Sequence, residues 1–221
     1  MRTKLKVEKD RLLEAFWERG LVLFGERVQQ EYALRTPIFI DLRHRLYEDL
    51  ETLTELGRAL HAKLAAEVGR DAPPQQVIGI PDTATPIALA AALASRGSAF
   101  PLSYGQLRKK PANYPGGRWG VSSFMGERAP GREVTLIDDV MASGRTKLWS
   151  IDELAKDGVS VARVLVVVDR EQGGDEALAA RRCPVLRLYS VFDIVDYYAE
   201  TGRIDAATAA AAREHLTRRR F

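Results

Sequence analysis

The chain has 221 residues, 46% hydrophobic and 29% charged, which is enough to bury a full core and excludes a disordered or low-complexity protein. Its 33 basic and 30 acidic residues leave a formal charge of +3, too weak for the overall balance to hold nucleic acid, so no nucleic-acid partner is expected. The longest apolar runs, such as VARVLVVVD at 161–169, fall far short of the roughly 20 residues a membrane-spanning helix needs, which excludes a membrane role. MRTKLKVEKDRLLEAF lacks a signal-peptide core, so the expected location is cytoplasmic. The lone Cys183 excludes an internal disulfide and reads as a small core residue, and His44, His61 and His215 lack metal-ligand spacing.

In chain order, Asp10–Arg19 is predicted as an amphipathic helix stopped by Gly20, and Pro37–Arg43 (PIFIDLR) as a strand with its proline at the start. Asp49–Val68 carries Leu50, Leu53, Leu56, Leu60 and Leu64 at helical spacing. A strand at Gln76–Ile80 leads to an alanine-rich helix with Thr85 as N-cap, Pro86 as first helical residue and Gly97 as its end. A strand near Ala99–Ser103 precedes a long irregular segment. Then come a strand at Glu133–Ile137, a helix at Thr146–Lys156 closed by Gly158, strands at Val161–Val168 and Val185–Tyr189, and a helix at Phe192–Glu200. A last helix, Asp205–Arg219, ends in Arg218-Arg219-Arg220, whose charges complement its dipole. The alternation of strands and helices, with several strands apolar on both faces, predicts an α/β fold with a mostly parallel sheet covered on both sides. Ligands of such sheets bind beyond the carboxyl ends of the strands, here after Ile80, Ile137 and Val168.

The stretch VTLIDDVMASGRT at 134–146 carries the chemistry. Asp138 and Asp139, placed where the apolar strand is predicted to stop, repel each other unless hydrogen-bond donors or a cation face them, and a polyhydroxylated ligand supplies donors. Ala142-Ser143-Gly144-Arg145-Thr146 then exposes backbone N–H groups at a helix N-terminus, a cradle for phosphate. A short Gly/Ser loop alone fits an ordinary capped helix equally well; acids and cradle within nine residues suggest a ribose 5-phosphate moiety. The loop is not GxxxxGK[ST], which argues against a nucleoside-triphosphate hydrolase, and no GxGxxG follows a predicted strand, which argues against a dinucleotide site.

DDVMASGRT resembles the phosphoribosyl-pyrophosphate (PRPP) motif of type I phosphoribosyltransferases, and the wider match is to the orotate phosphoribosyltransferases. LFGERV (23–28) and RTPIFIDLR (35–43) resemble their N-terminal hood, GIPDTATPIA (79–88) their pyrophosphate loop, LRKKPANYPGG (107–117) their flexible catalytic loop, and VVVDREQGG (166–174) and LYSVFDIVDYYAETG (188–202) their later strand and helix. The resemblance implies residues 1–48 as N-terminal helix and hood, 49–204 as PRPP-binding core with a lid at 105–131, and 205–221 as C-terminal helix. It implies transfer of ribose 5-phosphate from PRPP to a nucleobase, most simply orotate, with pyrophosphate released, Mg2+ as cofactor carried on PRPP, and a homodimer whose lid is shared between subunits. In that scheme Asp138 and Asp139 hold the ribose hydroxyls and favour the cationic transition state, touching Mg2+ at most through PRPP. Ala142, Ser143, Gly144, Arg145 and Thr146 hold the 5-phosphate, and Pro81, Asp82, Thr83 and Ala84 present backbone N–H groups to pyrophosphate. Arg108, Lys109 and Lys110 neutralise the leaving group, and a basic lid excludes water. Phe39 and Ile40 pack on the base and Arg170 meets its polar edge; on the residues alone, Phe39 also reads as core and Arg170 as a strand-end ion pair.

The chain departs from the family pattern in three respects. A second lid lysine and a histidine are replaced by Ala112 and Tyr114, the hood lysine falls near Gln29-Gln30, and Ala142 stands where orotate enzymes place a threonine. The alternatives these departures raise are another base, or a catalytically weak PRPP-binding regulator.

Overall fold

The computed structural model describes residues 11–69, 72–108, 124–127 and 131–218. Lys109, Lys110, Ala112, Tyr114 and the greater part of the expected lid lie outside the described residues, as do Arg219 and Arg220. Helix α1 covers 11–18 and ends at Gly20 with φ +65°. Strands β1 (Val22–Phe24) and β2 (Ile38–Ile40) pair antiparallel as a separate two-stranded ribbon, joined by helix α2 (Glu26–Tyr32) and followed by helix α3 (His44–Glu48).

Helix α4 (Leu50–Val68) is capped by Asp49, which accepts from the Thr52 N–H at 3.2 Å. The core then runs β3 (Gln75–Gly79), α5 (Thr85–Ala94), β4 (Leu102–Leu107), β5 (Phe124–Met125), β6 (Glu133–Met141), α6 (Arg145–Lys156), β7 (Val161–Asp169), α7 (Gly174–Ala179), β8 (Val185–Ser190), α8 (Val191–Glu200) and α9 (Ala206–Arg218). The six strands lie in the order β5-β4-β3-β6-β7-β8, and every pair is parallel except β4 with β5. The expected mostly parallel sheet is therefore present. One apolar layer, with Val77, Ile137 and Leu165, packs against α4, α5, α8 and the N-terminal ribbon. The other, with Ile78, Leu136 and Val166, packs against Leu154 of α6 and Leu178 of α7. Cys183 is buried in this second layer, as expected.

Several elements differ from the sequence-based expectation. The strand expected near Ala99–Ser103 is Leu102–Leu107, because the hydroxyls of Ser98 and Ser95 accept from the N–H groups of Phe100 (3.1 Å) and Leu102 (2.9 Å) and hold the intervening residues in a turn. Thr85 is the first helical residue of α5 and Ala84 its N-cap, without a side-chain cap. The segment expected to be irregular from Gly105 is strand to Leu107 and pairs again at Phe124–Met125, where the Phe124 ring lies against Gly105. Strand β2 stops at Ile40, since β1 offers only three partners. Helices α2, α3 and α7 span five to seven residues, too short to give a periodic signal.

The consequential difference is in β6, which continues four residues past Ile137 because β7 pairs with it as far as Met141↔Asp169. Strand order reverses between β3 and β6: β4 and β5 lie to one side, β7 and β8 to the other. Such a switch point opens a crevice at the carboxyl ends of the two strands. On its β3 wall the turn 81–84 folds back tightly, with the Ile80 N–H donating to Ile137 O at 2.8 Å and the Ala84 N–H to Ile80 O at 3.1 Å. A side chain on Gly79 would place its Cβ within 2.6 Å of the Thr85 nitrogen and closer still to the Ala84 carbonyl. Gly79→Ala is therefore expected to destabilise the protein by about 1–3 kcal/mol in urea unfolding, the usual cost of overpacking against backbone. A midpoint matching wild type would show that the turn does not depend on this close approach.

Candidate active site

At the switch point lies a cavity of about 330 Å³ lined by Arg43, Ile80, Pro81, Thr83, Asp138, Asp139, Val140, residues 142–147 and Trp149. Because β6 remains a strand through both acids, its pleat sends neighbouring side chains to opposite faces. Asp138 turns toward α6, where Lys147 meets it in a buried ion pair. Asp139 turns toward α3 and the N-terminal ribbon, where Arg43 Nε stands 3.7 Å from its Oδ2. Asp138 Oδ1 accepts the Asp139 N–H at 2.9 Å, and Asp139 Oδ1 accepts the Val140 N–H at 2.7 Å. Burial first, and then the negative charge of Asp138, push the Asp139 carboxyl up to about 7.

Beyond the acids, Gly144 adopts φ +74° and opens α6 without any side-chain cap, so the first-turn N–H groups face the cavity. The loop is pressed against the start of α7: a Cβ on Gly174 would come within 2.7 Å of Ala142 O. Opposite, the Tyr47 hydroxyl of α3 donates a short hydrogen bond to Thr83 O and fastens the ribbon to the 81–84 turn. Burial, followed by the Asp139 charge, pushes the Tyr47 hydroxyl up to about 12. Asp82 in that turn holds φ +72°, a left-handed conformation uncommon for a residue with a side chain.

The cavity thus gathers Pro81, Thr83, Asp138, Asp139, Ala142, Ser143, Gly144, Arg145 and Thr146. Asp82, Ala84, Arg108, Phe39, Ile40 and Arg170 are not among its lining residues. Arg108 is exposed just past the end of β4. Arg170 follows β7, its N–H donating to Met141 O at 2.8 Å, which sets it beside the Ala142 loop. Phe39 is half-buried with its ring 4.5 Å from that of Tyr32, while Ile40 packs on the larger apolar layer. Behind them Asp41 accepts from Tyr32 Oη (3.0 Å) and the Arg43 N–H (2.9 Å), and Nδ1 of His44 lies 3.1 Å away. Burial works to raise the Asp41 carboxyl, but these hydrogen bonds outweigh it and hold it below its ordinary value.

Sequence reasoning missed Arg43, Tyr47, Lys147 and Trp149. Lys147 had a readable signal: it shares the inward face of α6 with Ser150 and Leu154, at the three- and seven-residue spacing of a buried stripe. Arg43 and Tyr47 reach the site only through the ribbon's tertiary placement and left no local trace.

No family model matches the chain. The orotate phosphoribosyltransferase of Methanoculleus marisnigri is 34% identical over 179 residues, covering 81% of this chain and 94% of that protein. Among solved structures, the UMP synthase of Leishmania donovani aligns with a TM-score of 0.72 at 25% identity over 95% of this chain, which spans 42% of that longer protein. The Mycobacterium tuberculosis orotate phosphoribosyltransferase in complex with PRPP aligns with a TM-score of 0.60 at 20% identity, covering 85% of this chain and 91% of that one, and speaks for the fold.

The raised Asp139 carboxyl makes a signed prediction. A group whose folded pKa lies above its unfolded value near 3.8 stabilises the fold at low pH, and that contribution is lost as pH rises through about 7. Relative to Asp139→Asn, the wild-type protein should therefore lose stability between pH 5 and pH 8, so the advantage of the variant grows with pH. Chemical denaturation at the two pH values measures it; an advantage that shrinks with pH would contradict the assignment.

Proposed function

Because the chain belongs to the orotate phosphoribosyltransferase family, we propose that it transfers the ribose 5-phosphate of PRPP to orotate, forming orotidine 5'-monophosphate and pyrophosphate in pyrimidine nucleotide biosynthesis. The observation that carries this reading is the switch-point cavity, which sets two buried carboxylates between an uncapped helix N-terminus and a turn of closely packed backbone. A 5-phosphate fits the first-turn N–H groups of α6, the ribose the acid pair, and a pyrophosphate the 81–84 turn. The C1–oxygen bond to pyrophosphate breaks ahead of the bond that forms from C1 to the base nitrogen, whose proton leaves with the pyrophosphate. A carboxylate fixed before the reaction favours the positive charge that gathers on the ribose between those events.

Among the described residues no cluster of three or more His, Cys, Asp or Glu side chains could hold a metal by itself. Two acids with most of their oxygens already hydrogen-bonded fit a magnesium ion held chiefly by substrate oxygens. When bound, Mg2+ supplies charge neutralisation for the departing pyrophosphate. Arg108, at the root of the lid, adds a guanidinium suited to two phosphate oxygens at once.

The homodimer is part of the same reading. Leu50, Leu89 and Leu93, exposed by 68%, 41% and 56%, rim an apolar groove between α4 and α5 that supports it. A cytoplasmic setting accords with the absence, among the described residues, of any helix long and apolar enough to cross a membrane.

The decisive assay supplies PRPP and Mg2+ with orotate, uracil, adenine, guanine, hypoxanthine or xanthine in turn and follows pyrophosphate release. Turnover with orotate is expected, and Asp139→Asn should lower kcat by about a hundredfold, in line with losing one preorganised electrostatic group. Turnover with a different base would replace orotate in the proposal. A PRPP-dependent rise in melting temperature without turnover on any base would reduce the protein to a PRPP binder. Light scattering of the eluting protein should give twice the chain mass, and Leu89→Glu with Leu93→Glu should shift it toward a monomer.

A further inference from the structure

Lys147 is a buried cation that the reaction above does not use. Its side chain is 3% exposed, its Nζ meets Asp138 Oδ2, and the same Nζ donates to Val140 O at 2.8 Å. We propose that Lys147 is a positioning residue that divides the work of the acid pair, holding Asp138 as an internal strut and leaving Asp139 to meet the ribose hydroxyls. The proposal rests on the PRPP reading of the cavity and deepens it.

The hydrogen-bond inventory of the two carboxylates supports the division. Both oxygens of Asp138 are engaged from inside the protein, Oδ1 by the Asp139 N–H and Oδ2 by Lys147. Asp139 has one oxygen engaged by the Val140 N–H, while its Oδ2 stands 3.7 Å from Arg43 Nε. That arginine is 63% exposed and has a long side chain free to give way to a ligand. A ligand therefore meets Asp138 Oδ2 only by breaking a buried ion pair, whereas at Asp139 Oδ2 it displaces a looser contact from an exposed arginine.

Fold stability alone does not account for the lysine. It is the third residue of α6, at the positive end of the helix dipole, and burying an ion pair there carries a desolvation cost that an apolar side chain of similar size avoids. The contacts instead tie two parts of the site together. Through Asp138 and Val140 O, Lys147 joins the end of β6 to the first turn of α6, so the acids and the phosphate cradle keep a fixed spacing. A ligand with a phosphate at one end and vicinal hydroxyls at the other requires that spacing.

A mutant cycle tests this, read as KM for PRPP and kcat with the saturating base and as the PRPP-induced rise in melting temperature. Lys147→Met should raise KM for PRPP about tenfold and shrink the thermal shift, with KM for the base little moved. In an Asp138→Asn background the same Lys147→Met change should cost less than about threefold, because the lysine acts through Asp138. Asp138→Asn should lose at least about tenfold less in kcat than Asp139→Asn. Equal cost of Lys147→Met in both backgrounds, or Asp138→Asn as damaging as Asp139→Asn, would overturn the proposal. If Lys147→Met alone does not fold, the comparison of Asp138→Asn, its double variant and Asp139→Asn carries the decision, and a double variant that cannot fold counts against the strut. Wild-type protein is the control for the underlying reading: if it shows no response to PRPP at all, that reading fails rather than the role of Lys147.

Discussion

The site depends on β6 remaining a strand through Asp138 and Asp139. Pairing with β7 at Asp138↔Val166, Val140↔Val168 and Met141↔Asp169 extends it past the point where its apolar run ends. Had the strand stopped at Ile137, two adjacent acids on an irregular loop would have no fixed relation to each other. Held in the pleat, they point into different layers, and each finds a different set of neighbours. The sheet therefore does more than present the acids at its edge; its register gives each one a distinct electrostatic environment.

That separation also sets the energetics. Two carboxylates buried side by side are costly to ionise, and the protein meets the cost asymmetrically. On the α6 face a full positive charge is in contact, with Lys147 buried beside Asp138. On the other face the nearest cation is Arg43, more distant and mostly in solvent. Burial and the neighbouring Asp138 charge push the Asp139 carboxyl up to about 7, and Asp139 lines the cavity. An incoming cation or a set of hydroxyl donors has most to gain at that carboxyl, so the unevenness of the site is itself a form of readiness for ligand.

How much of this was legible in the sequence differs between core and ribbon. The alternation of strands and helices, the leucine spacing of α4 and the small-residue loop before α6 were local signals, and the sheet and cradle followed from them. The true end of β6 was not local, because Val140 and Met141 are strand residues only by virtue of β7. Nor was the turn at Ser98–Pro101, where two serine hydroxyls outbid the sheet for backbone N–H groups. Lys147 was visible as a charge on an apolar helix face, but only the tertiary structure supplies its partner.

The ribbon is tied to the site by different means from the core. No strand of it joins the central sheet, and it meets the cavity through two long side chains, Tyr47 to Thr83 O and Arg43 to Asp139. Arg43 is held by Asp41, whose carboxylate receives the Arg43 N–H and gathers Tyr32 and His44 around the start of α3. Parts of a site set by a sheet keep their spacing, whereas parts set by tethered side chains can shift by a rotamer. On the PRPP reading proposed above, ribose and phosphate fall to the rigid half, and any groups the ribbon offers to a base belong to the adjustable half. The departure from the family pattern near Gln29-Gln30 lies in that adjustable half, whereas the one at Ala142 lies in the loop before α6, beside the acids of the rigid half.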